Sequence, residues 1–325
     1  SVSWGALYSF VTGLIEQGGC FGPDERIATD KGLIPAAELA DRIDAGETFY
    51  AQTHKGWRPI TMRFRNGEKP LYEVITGRGY RVRITAEHKV AVLRGADVVT
   101  IPLHELKVGD DILVLMGEGA QGDYVTLKSA QYDRSVMSTT LNTDVVLPET
   151  LTEDLAYFLG YSYADGYVQI GKKVNWSAPK ALKLATADAH PTIRDRLMKI
   201  TQATFGLTPT LENGDGSCMN VAVYSRMMIE WLSQNGLLKQ KTADIRVPEA
   251  IFRSPSSVQT AFIAGYFDAD GCNRGRKGGY GIDSISLEGL RDLQQLLAFS
   301  GIVSRIHTTD RSEKGWQTIY RLSVT

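Results

Sequence analysis

Short runs of alternating apolar and polar residues, typical of β-strands, fill the first third of the chain. Turn sequences such as Asp30-Lys31-Gly32 and Asn66-Gly67 separate these runs. The predicted strands span residues 26–29, 48–52, 58–64, 71–76, 81–85, 89–93 and 111–115, and short helical stretches interrupt them at 35–43 and 103–106. The pattern therefore predicts an all-β module over residues 20–118.

Helical spacing dominates the rest of the chain. Residues 1–17 are predicted to form a helix that Gly18-Gly19 ends. After a polar, turn-rich connector at 119–150, helices alternate with strands, and the predicted helices span residues 155–163, 191–205, 225–235, 256–267 and 287–300. Because this series of elements starts again, residues 151–325 are predicted to be an α+β unit used twice, with halves at 151–245 and 246–325.

One acidic motif marks the duplication. Residues 156–166 and 261–271 both read Ala, aromatic, x, x, Gly, Tyr, x, x, Ala, Asp, Gly. Small residues recur every four positions and give each predicted helix a narrow face for backbone-to-backbone packing: Ala156, Gly160, Ala164, Ala261, Gly265 and Ala269. Each helix is expected to end at its Asp-Gly pair, where glycine permits a left-handed cap. Two helices packed in this way would place Asp165 and Asp270 side by side.

Charge and ligand chemistry suggest what such a pair of carboxylates does. Hard cations prefer oxygen ligands, so paired aspartates that face a polyanion predict a Mg²⁺ site and chemistry at phosphate. The whole chain holds 36 basic and 37 acidic side chains, which favours no class of partner. Residues 151–325 hold 20 basic and 17 acidic side chains, against 16 and 20 in residues 1–150, so a polyanion is expected on the second half.

Composition also bears on the compartment. The three cysteines, Cys20, Cys218 and Cys272, are far apart and form neither a disulfide framework nor a CxxC metal site. We therefore expect a reducing, cytoplasmic compartment. No apolar run reaches the length of about 18 residues that a membrane span requires, so no membrane partner is expected. The protein is expected to be a monomer.

The two acidic motifs resemble the LAGLIDADG motif of homing endonucleases, at residues 158–166 and 263–271. The resemblance runs from about residue 152 to the end of the sequence. It implies two αββαββα halves that form a saddle, with strands in the major groove of a long, asymmetric DNA target. It also implies that Asp165 and Asp270 bind divalent metal. Asp268 matches the first acidic position of the second motif, whereas Tyr163 replaces it in the first.

Basic residues complete the implied nuclease. The segment from Lys239 to residue 252 resembles one that precedes a second motif in this family, where a lysine assists phosphodiester cleavage. Lys241 is the first choice for that role and Lys239 the second. Basic residues in the strands after each motif are candidates for DNA contacts: Lys172, Lys173, Arg274, Arg276 and Lys277.

The β-rich region resembles the N-terminal part of an intein, a Hint-type protein-splicing domain. Cys20 opens a block that leads to a Thr-x-x-Gly turn, Thr85-Ala86-Glu87-His88 matches a T-x-x-H block, and residues 106–112 match an L-x-x-G-D-x-I segment. The resemblance implies that the Cys20 thiolate attacks the carbonyl of Gly19. His88 would then protonate the departing nitrogen, while Thr85 would hydrogen-bond and strain the peptide.

On this interpretation residues 1–19 are flanking host sequence, the N-extein, and they resemble a stretch of adenosylcobalamin-dependent ribonucleotide reductases. Inteins end in His-Asn followed by Cys, Ser or Thr, whereas this sequence ends Arg321-Leu322-Ser323-Val324-Thr325. The final strands of the splicing fold are missing as well. A separate or truncated C-terminal intein segment is therefore an expected partner.

Two alternatives stay open at this stage. The first is a DNA- or RNA-binding LAGLIDADG protein that has lost cleavage, as in maturases. The second is an autoprocessing module of the hedgehog type, which would share the Cys20 and T-x-x-H chemistry but would not need residues 152–325.

Overall fold

The computed structural model describes residues 20–53, 56–61, 67–114, 116–117, 121–130, 145–173, 176–239, 241–273 and 279–324. The predicted helix at 1–17 and part of the predicted strand at 58–64 lie outside these residues. The chain divides into two compact units. Of the described residues, the first unit comprises 20–123, 252–256 and 290–324, and the second comprises 124–251 and 257–289.

Strands dominate residues 20–117 of the first unit, called here the β-rich module. One antiparallel sheet has the order β2 (Gly32–Pro35), β1 (Arg26–Thr29), β3 (Tyr50–Thr53) and β4 (Gly56–Pro59), with helix α1 (Ala36–Asp44) after β2. The others are the hairpin of β5 (Tyr72–Ile75) with β6 (Arg81–Ile84), and a sheet of β8 (Asp97–Pro102), β7 (Lys89–Arg94) and β9 (Asp111–Ile112). A short 3-10 helix spans Leu103–Glu105.

These elements confirm most of the predicted strands and both short helical stretches. The sequence pattern predicts neither β2 nor β8. The first three residues of β2 are all buried, so this strand shows no alternation of apolar and polar positions, and no residue of β8 is buried.

Two small apolar clusters hold the β-rich module together. One contains Ile27, Ile34, Leu39 and Phe49, and the other contains Val82, Ile84, Val90 and Val92. Phe21 packs against both clusters. The residue that follows Cys20 is therefore fixed where the two parts of the module's core meet.

The second unit opens with a complete αββαββα series. Its elements are α2 (Glu153–Asp165), β10 (Gly166–Lys173), β11 (Trp176–Ala187), α3 (Pro191–Phe205), β12 (Thr210–Asn213), β13 (Cys218–Val223) and α4 (Arg226–Gln234). The strands form one antiparallel sheet in the order β10-β11-β13-β12. The Thr152 hydroxyl caps α2, and α3 begins with proline and ends at Gly206 with φ 66°.

The element order then repeats. After α5 (Glu249–Arg253), which the sequence does not predict, come α6 (Ser256–Asp270), β14 (Cys272–Asn273), β15 (Tyr280–Ser284), α7 (Leu287–Phe299), β16 (Ser304–Thr309) and β17 (Ile319–Val324). β14 pairs with β15, and β16 pairs with β17, both antiparallel. The predicted α+β architecture with duplicated helix–strand–strand series is confirmed.

The compact units do not follow the predicted boundary at residue 151. Most of α7 and the whole β16–β17 hairpin group with the β-rich module. Contacts of high sequence separation explain this grouping: the Arg26 guanidinium donates to Asp292 at 3.1 Å in a buried ion pair. Among the described residues, no helix is long and apolar enough to cross a membrane.

Candidate active site

Helices α2 and α6 approach each other at their glycines. A Cβ atom built on Gly160 would lie 2.0 Å from the carbonyl oxygen of Phe262, and one on Gly265 would lie 2.1 Å from that of Tyr157. No side chain fits at such distances, so the two backbones are in direct contact. The predicted backbone-to-backbone packing is confirmed at these two positions.

Each helix ends at its Asp-Gly pair, but the expectation of a left-handed glycine cap is wrong. Gly166 has an extended backbone, with φ −92° and ψ 150°, and Gly271 does not have a positive φ. A Cβ on Gly166 would lie 2.4 Å from the carbonyl oxygen of Ser162, and one on Gly271 would lie 2.2 Å from that of Phe267. Glycine is therefore required because the chain leaves the helix against the carbonyl groups of its last turn.

Asp165 and Asp270 are the last residues of α2 and α6. Burial raises the pKa of the half-buried Asp165 carboxyl, and the positive charge of Lys239 partly offsets this effect. Desolvation and the negative charge of Asp165 raise the pKa of Asp270 to about 6. The Asp270 side chain nevertheless keeps an exposed face. The two carboxyl groups are thus electrostatic neighbours in a site that a ligand can reach.

Lys239 is the cation at this pair. Its ammonium group donates to the carbonyl oxygens of Ala164 at 2.6 Å and Gly166 at 3.2 Å, the residues on either side of Asp165. Burial lowers the pKa of Lys239, while the charges of Asp270 and Asp165 act in the opposite direction.

The structure therefore places the second choice of lysine, and not the first, at the carboxylates. Lys241 is exposed and precedes the short 3-10 helix Thr242–Asp244. Lys241 follows Lys239 by two positions. Of these two lysines, the hydrogen bonds of the described residues show only Lys239 donating to the Ala164 and Gly166 carbonyl groups.

Sequence reasoning missed three side chains around the pair. Asp283 on β15 also raises the pKa of Asp270. The phenols of Tyr161 and Tyr266 are buried, which raises their pKa, and the charges of Asp165 and Asp270 raise it further. Both tyrosines follow the packing glycine in the repeated motif, and that repetition is the signal that could have identified them.

Asp268 belongs to a different cluster. It accepts a hydrogen bond from the Tyr157 hydroxyl at 2.6 Å and lies 3.9 Å from the Arg196 guanidinium. Arg196 in turn stacks over the Tyr157 ring at 3.5 Å. Tyr163, which occupies the equivalent position of the first motif, is buried. The first acidic position of the motif is therefore not a shared feature of the two copies.

The residues predicted to contact DNA are only partly described. Lys172 and Lys173 end β10, opposite Ser177 and Trp176 of β11, but their side chains lie outside the described set. Arg274, Arg276 and Lys277 lie wholly outside the described residues. Their roles stay predictions.

The donor set at α2 and α6 fits a hard divalent cation. Asp165 and Asp270 offer carboxylate oxygens, and their mutual charge would be neutralised by such an ion. Among the described residues, no three or more His, Cys, Asp or Glu side chains gather in one place. The remaining ligands would come from oxygen atoms of the main chain, of a substrate or of water.

A second candidate site surrounds Cys20 in the β-rich module. The Cys20 amide donates to the Thr85 hydroxyl at 3.0 Å, and the Thr85 amide donates to the Cys20 carbonyl at 3.0 Å. The His88 amide donates to the Thr85 carbonyl at 3.1 Å, and the buried His88 ring packs on Phe21 with centroids 4.4 Å apart. The structure thus brings Cys20, Thr85 and His88 together.

Comparison with known families finds a match to part of the chain. Residues 257–325 match the family model described as "LAGLIDADG-like domain". The solved structure of the homing endonuclease I-DmoI in complex with DNA and Ca is 19% identical, with a TM-score of 0.42, and the match covers 54% of this chain and 84% of that one.

Two relatives match over nearly the whole chain. The ribonucleoside-diphosphate reductase NrdEB (alpha chain) of Bacillus subtilis (strain 168) is 25% identical over 332 residues, which cover 94% of this chain and 28% of the relative. The replicative DNA helicase DnaB of Rhodothermus marinus is 25% identical over 312 residues, which cover 93% of this chain and 30% of the relative. The chain therefore spans less than a third of the length of these relatives.

Proposed function

We propose that this chain belongs to an intein that carries a homing endonuclease. Its second unit would cleave double-stranded DNA with a divalent cation, and its β-rich module would start protein splicing at Cys20. One observation carries the nuclease proposal: Asp165, Asp270 and Lys239 meet at the common end of two glycine-packed helices.

The chain's own residues have separate tasks in this proposal. Asp165 and Asp270 would hold a divalent cation, with Mg²⁺ as the expected ion. When bound, such an ion activates water and stabilises charge on a phosphate. Lys239, oriented by two backbone carbonyl groups, would place a positive charge beside the phosphate on which negative charge develops.

Two features support the DNA substrate. Residues 151–325 hold three more basic than acidic side chains, 20 against 17. The duplicated aspartates also give one carboxylate from each half of a pseudo-symmetric unit, which suits a substrate with two strands.

The splicing proposal is supported by the contacts of Cys20. The Thr85 hydroxyl accepts from the amide nitrogen of the peptide bond that would be broken. That contact orients the nitrogen that must leave when the Cys20 thiolate attacks the Gly19 carbonyl and forms a thioester. The proton for this nitrogen would come from His88.

The two long matches support an inserted element. A reductase and a replicative helicase have different activities, yet each aligns with more than nine-tenths of this chain and only about three-tenths of its own length. A segment shared by proteins of such different activities fits an insertion better than it fits the activity of either host. Residues 1–19 would be host sequence on this proposal.

Cleavage of a defined duplex tests the nuclease proposal. The substrate joins the coding sequences on either side of the insertion, and the control duplex is interrupted at the junction. We expect cleavage of the joined duplex with Mg²⁺, binding without cleavage with Ca²⁺, and no cleavage with EDTA. Binding without cleavage in Mg²⁺ would instead support a cleavage-deficient, maturase-like protein.

A further inference from the structure

The outer edge of β16 is covered by a turn of the β-rich module. The turn joins β5 to β6 and spans residues 76–80. The Ser304 amide donates to the Tyr80 hydroxyl at 3.3 Å, and the Ile306 amide donates to the Arg78 carbonyl at 3.0 Å. Amides of alternate residues point to the same edge of a strand, so the turn satisfies two successive donors that an edge strand would otherwise expose.

Side chains of β16 and α7 also donate hydrogen bonds to this turn. The Arg305 guanidinium donates to the Gly77 carbonyl through two nitrogens, at 3.2 and 3.0 Å. The buried Gln294 side chain on α7 donates to the Arg78 carbonyl at 3.0 Å. The turn is therefore hydrogen-bonded to both α7 and β16.

Gly79 sets how closely the turn approaches. Its φ is +88°, in the left-handed region that favours glycine, and a Cβ built on it would lie 3.0 Å from the Ile306 Cβ. A side chain at this position would both strain the turn and push against β16.

The hairpin held in this way is basic. Residues 304–324 contain four Lys or Arg residues and two acidic residues. His307 lies directly opposite Arg321 in the β16–β17 ladder, and Arg305 and His307 are exposed. At the tip, Arg311 and Lys314 lie 5.5 and 5.6 Å from the exposed Trp316 ring. Such a hairpin is suited to contact a polyanion.

We propose that the residue 76–80 turn is a positioning element for the β16–β17 hairpin, through which the β-rich module strengthens DNA binding. The inference rests on the proposed nuclease function. It assigns to the module a contribution to DNA affinity that is separate from its own chemistry at Cys20.

Gly79→Ala tests this proposal against a matched control. Gly95 also has a positive φ, +66°, in a turn of the same module, but a Cβ there would meet nothing within 4 Å. Both variants carry backbone strain, and only Gly79→Ala presses on β16. We expect the dissociation constant for the cleaved duplex, measured in Ca²⁺, to rise roughly three- to tenfold for Gly79→Ala and to stay near the wild-type value for Gly95→Ala.

Kinetics separate positioning from catalysis. In Mg²⁺ the KM of Gly79→Ala should rise while its kcat at saturating DNA stays near the wild-type value, and the Ile306 amide should exchange hydrogen faster. If Gly79→Ala does not fold, Tyr80→Phe replaces it, because this change removes only the hydroxyl that accepts from the Ser304 amide. Tyr72→Phe, at an exposed tyrosine, is then the control, and the same dissociation constants are compared.

Equal dissociation constants for each variant and its control would overturn the positioning role. A wild-type protein that neither binds nor cuts the duplex would instead refute the proposed nuclease function. The two failures are therefore distinguishable.

Discussion

The carboxyl group of Asp270 is held where its negative charge is unfavourable. Its pKa is raised to about 6, above the ordinary value of about 4, so the folded protein keeps this proton over a range in which the unfolded chain has lost it. The contribution of Asp270 to the free energy of unfolding should therefore fall as pH rises from about 4 to about 6 and then level off.

Asp270→Asn removes this penalty. We expect the variant to unfold at higher urea concentration than wild type near neutral pH in EDTA, with a gain of about 1 kcal/mol, because solvent at the exposed face screens part of the effect. The gain should shrink towards pH 4. Asp195→Asn, at an exposed carboxyl on α3, serves as the control and should show no such trend. Parallel pH profiles for Asp270→Asn and wild type would contradict the unfavourable charge.

Lys239 and Lys241 give the second prediction at this scale. Lys239→Met should lower the cleavage rate by roughly 10²-fold or more, because it removes a positive charge beside the phosphate. Lys241→Met changes the same side chain at an exposed position nearby and should cleave at close to the wild-type rate. Single-turnover cleavage measures both rates, and the reverse order would return the role to Lys241.

The aspartates were predictable from sequence because the motif occurs twice, so each copy supports the other. The lysine was not. Lys239 is selected by two backbone carbonyl groups, Ala164 and Gly166, which carry no side-chain signal. Asp283 was missed for a similar reason, since its effect on Asp270 depends on where β15 lies.

At the scale of elements, the contact between α2 and α6 depends on two glycines. Gly160→Ala or Gly265→Ala would place a Cβ about 2 Å from a backbone oxygen, so the helices must separate. We expect each substitution to lower the free energy of unfolding by about 3 kcal/mol, as overpacking of a rigid contact does. Thermal and urea unfolding measure this loss.

Gly77→Ala is the control for these variants. Gly77 lacks a positive φ, and a Cβ there would meet nothing within 4 Å. The free energy of unfolding of the Gly77→Ala variant should therefore remain near the wild-type value. Losses of equal size at Gly77 and Gly160 would show that helix contact is not the cause.

Long periodic elements were the easiest to predict. The helix predicted at 191–205 is observed as Pro191–Phe205, since a proline start and a glycine stop bracket an amphipathic run. β2 escapes prediction because its first three residues are all buried, so apolar and polar positions do not alternate along it. The glycine caps were assigned wrongly because an Asp-Gly sequence does not reveal that a nearby carbonyl, rather than a positive φ, excludes a side chain at Gly166.

For the whole molecule, the groups around Cys20 and the carboxylate site of Asp165 and Asp270 are expected to act independently. Cys20→Ala or Thr85→Val should suppress thiol-induced release of residues 1–19, by roughly 10-fold or more for Thr85→Val, because the scissile nitrogen loses its hydrogen-bond partner. DNA cleavage should be unaffected. Thr100→Val, at an exposed position on β8, is the control. Release that persists in Cys20→Ala would refute Cys20 as the nucleophile.

The division into compact units could not be predicted. It depends on contacts such as Arg26 with Asp292, whose residues are 266 positions apart, and no local pattern encodes such a pair. The sequence could be divided by its motifs, but the motifs do not show that most of α7 and the β16–β17 hairpin group with the β-rich module.

The most direct test asks whether cleavage of both strands of one duplex requires both Asp165 and Asp270. Asp165→Asn and Asp270→Asn are isosteric changes that should preserve the fold and DNA binding in Ca²⁺. Single-turnover cleavage in Mg²⁺, resolved strand by strand, should fall by orders of magnitude in each variant, because a charged metal ligand becomes neutral. If either variant cuts both strands at near the wild-type rate, the paired-carboxylate site at the ends of α2 and α6 is not the nuclease centre.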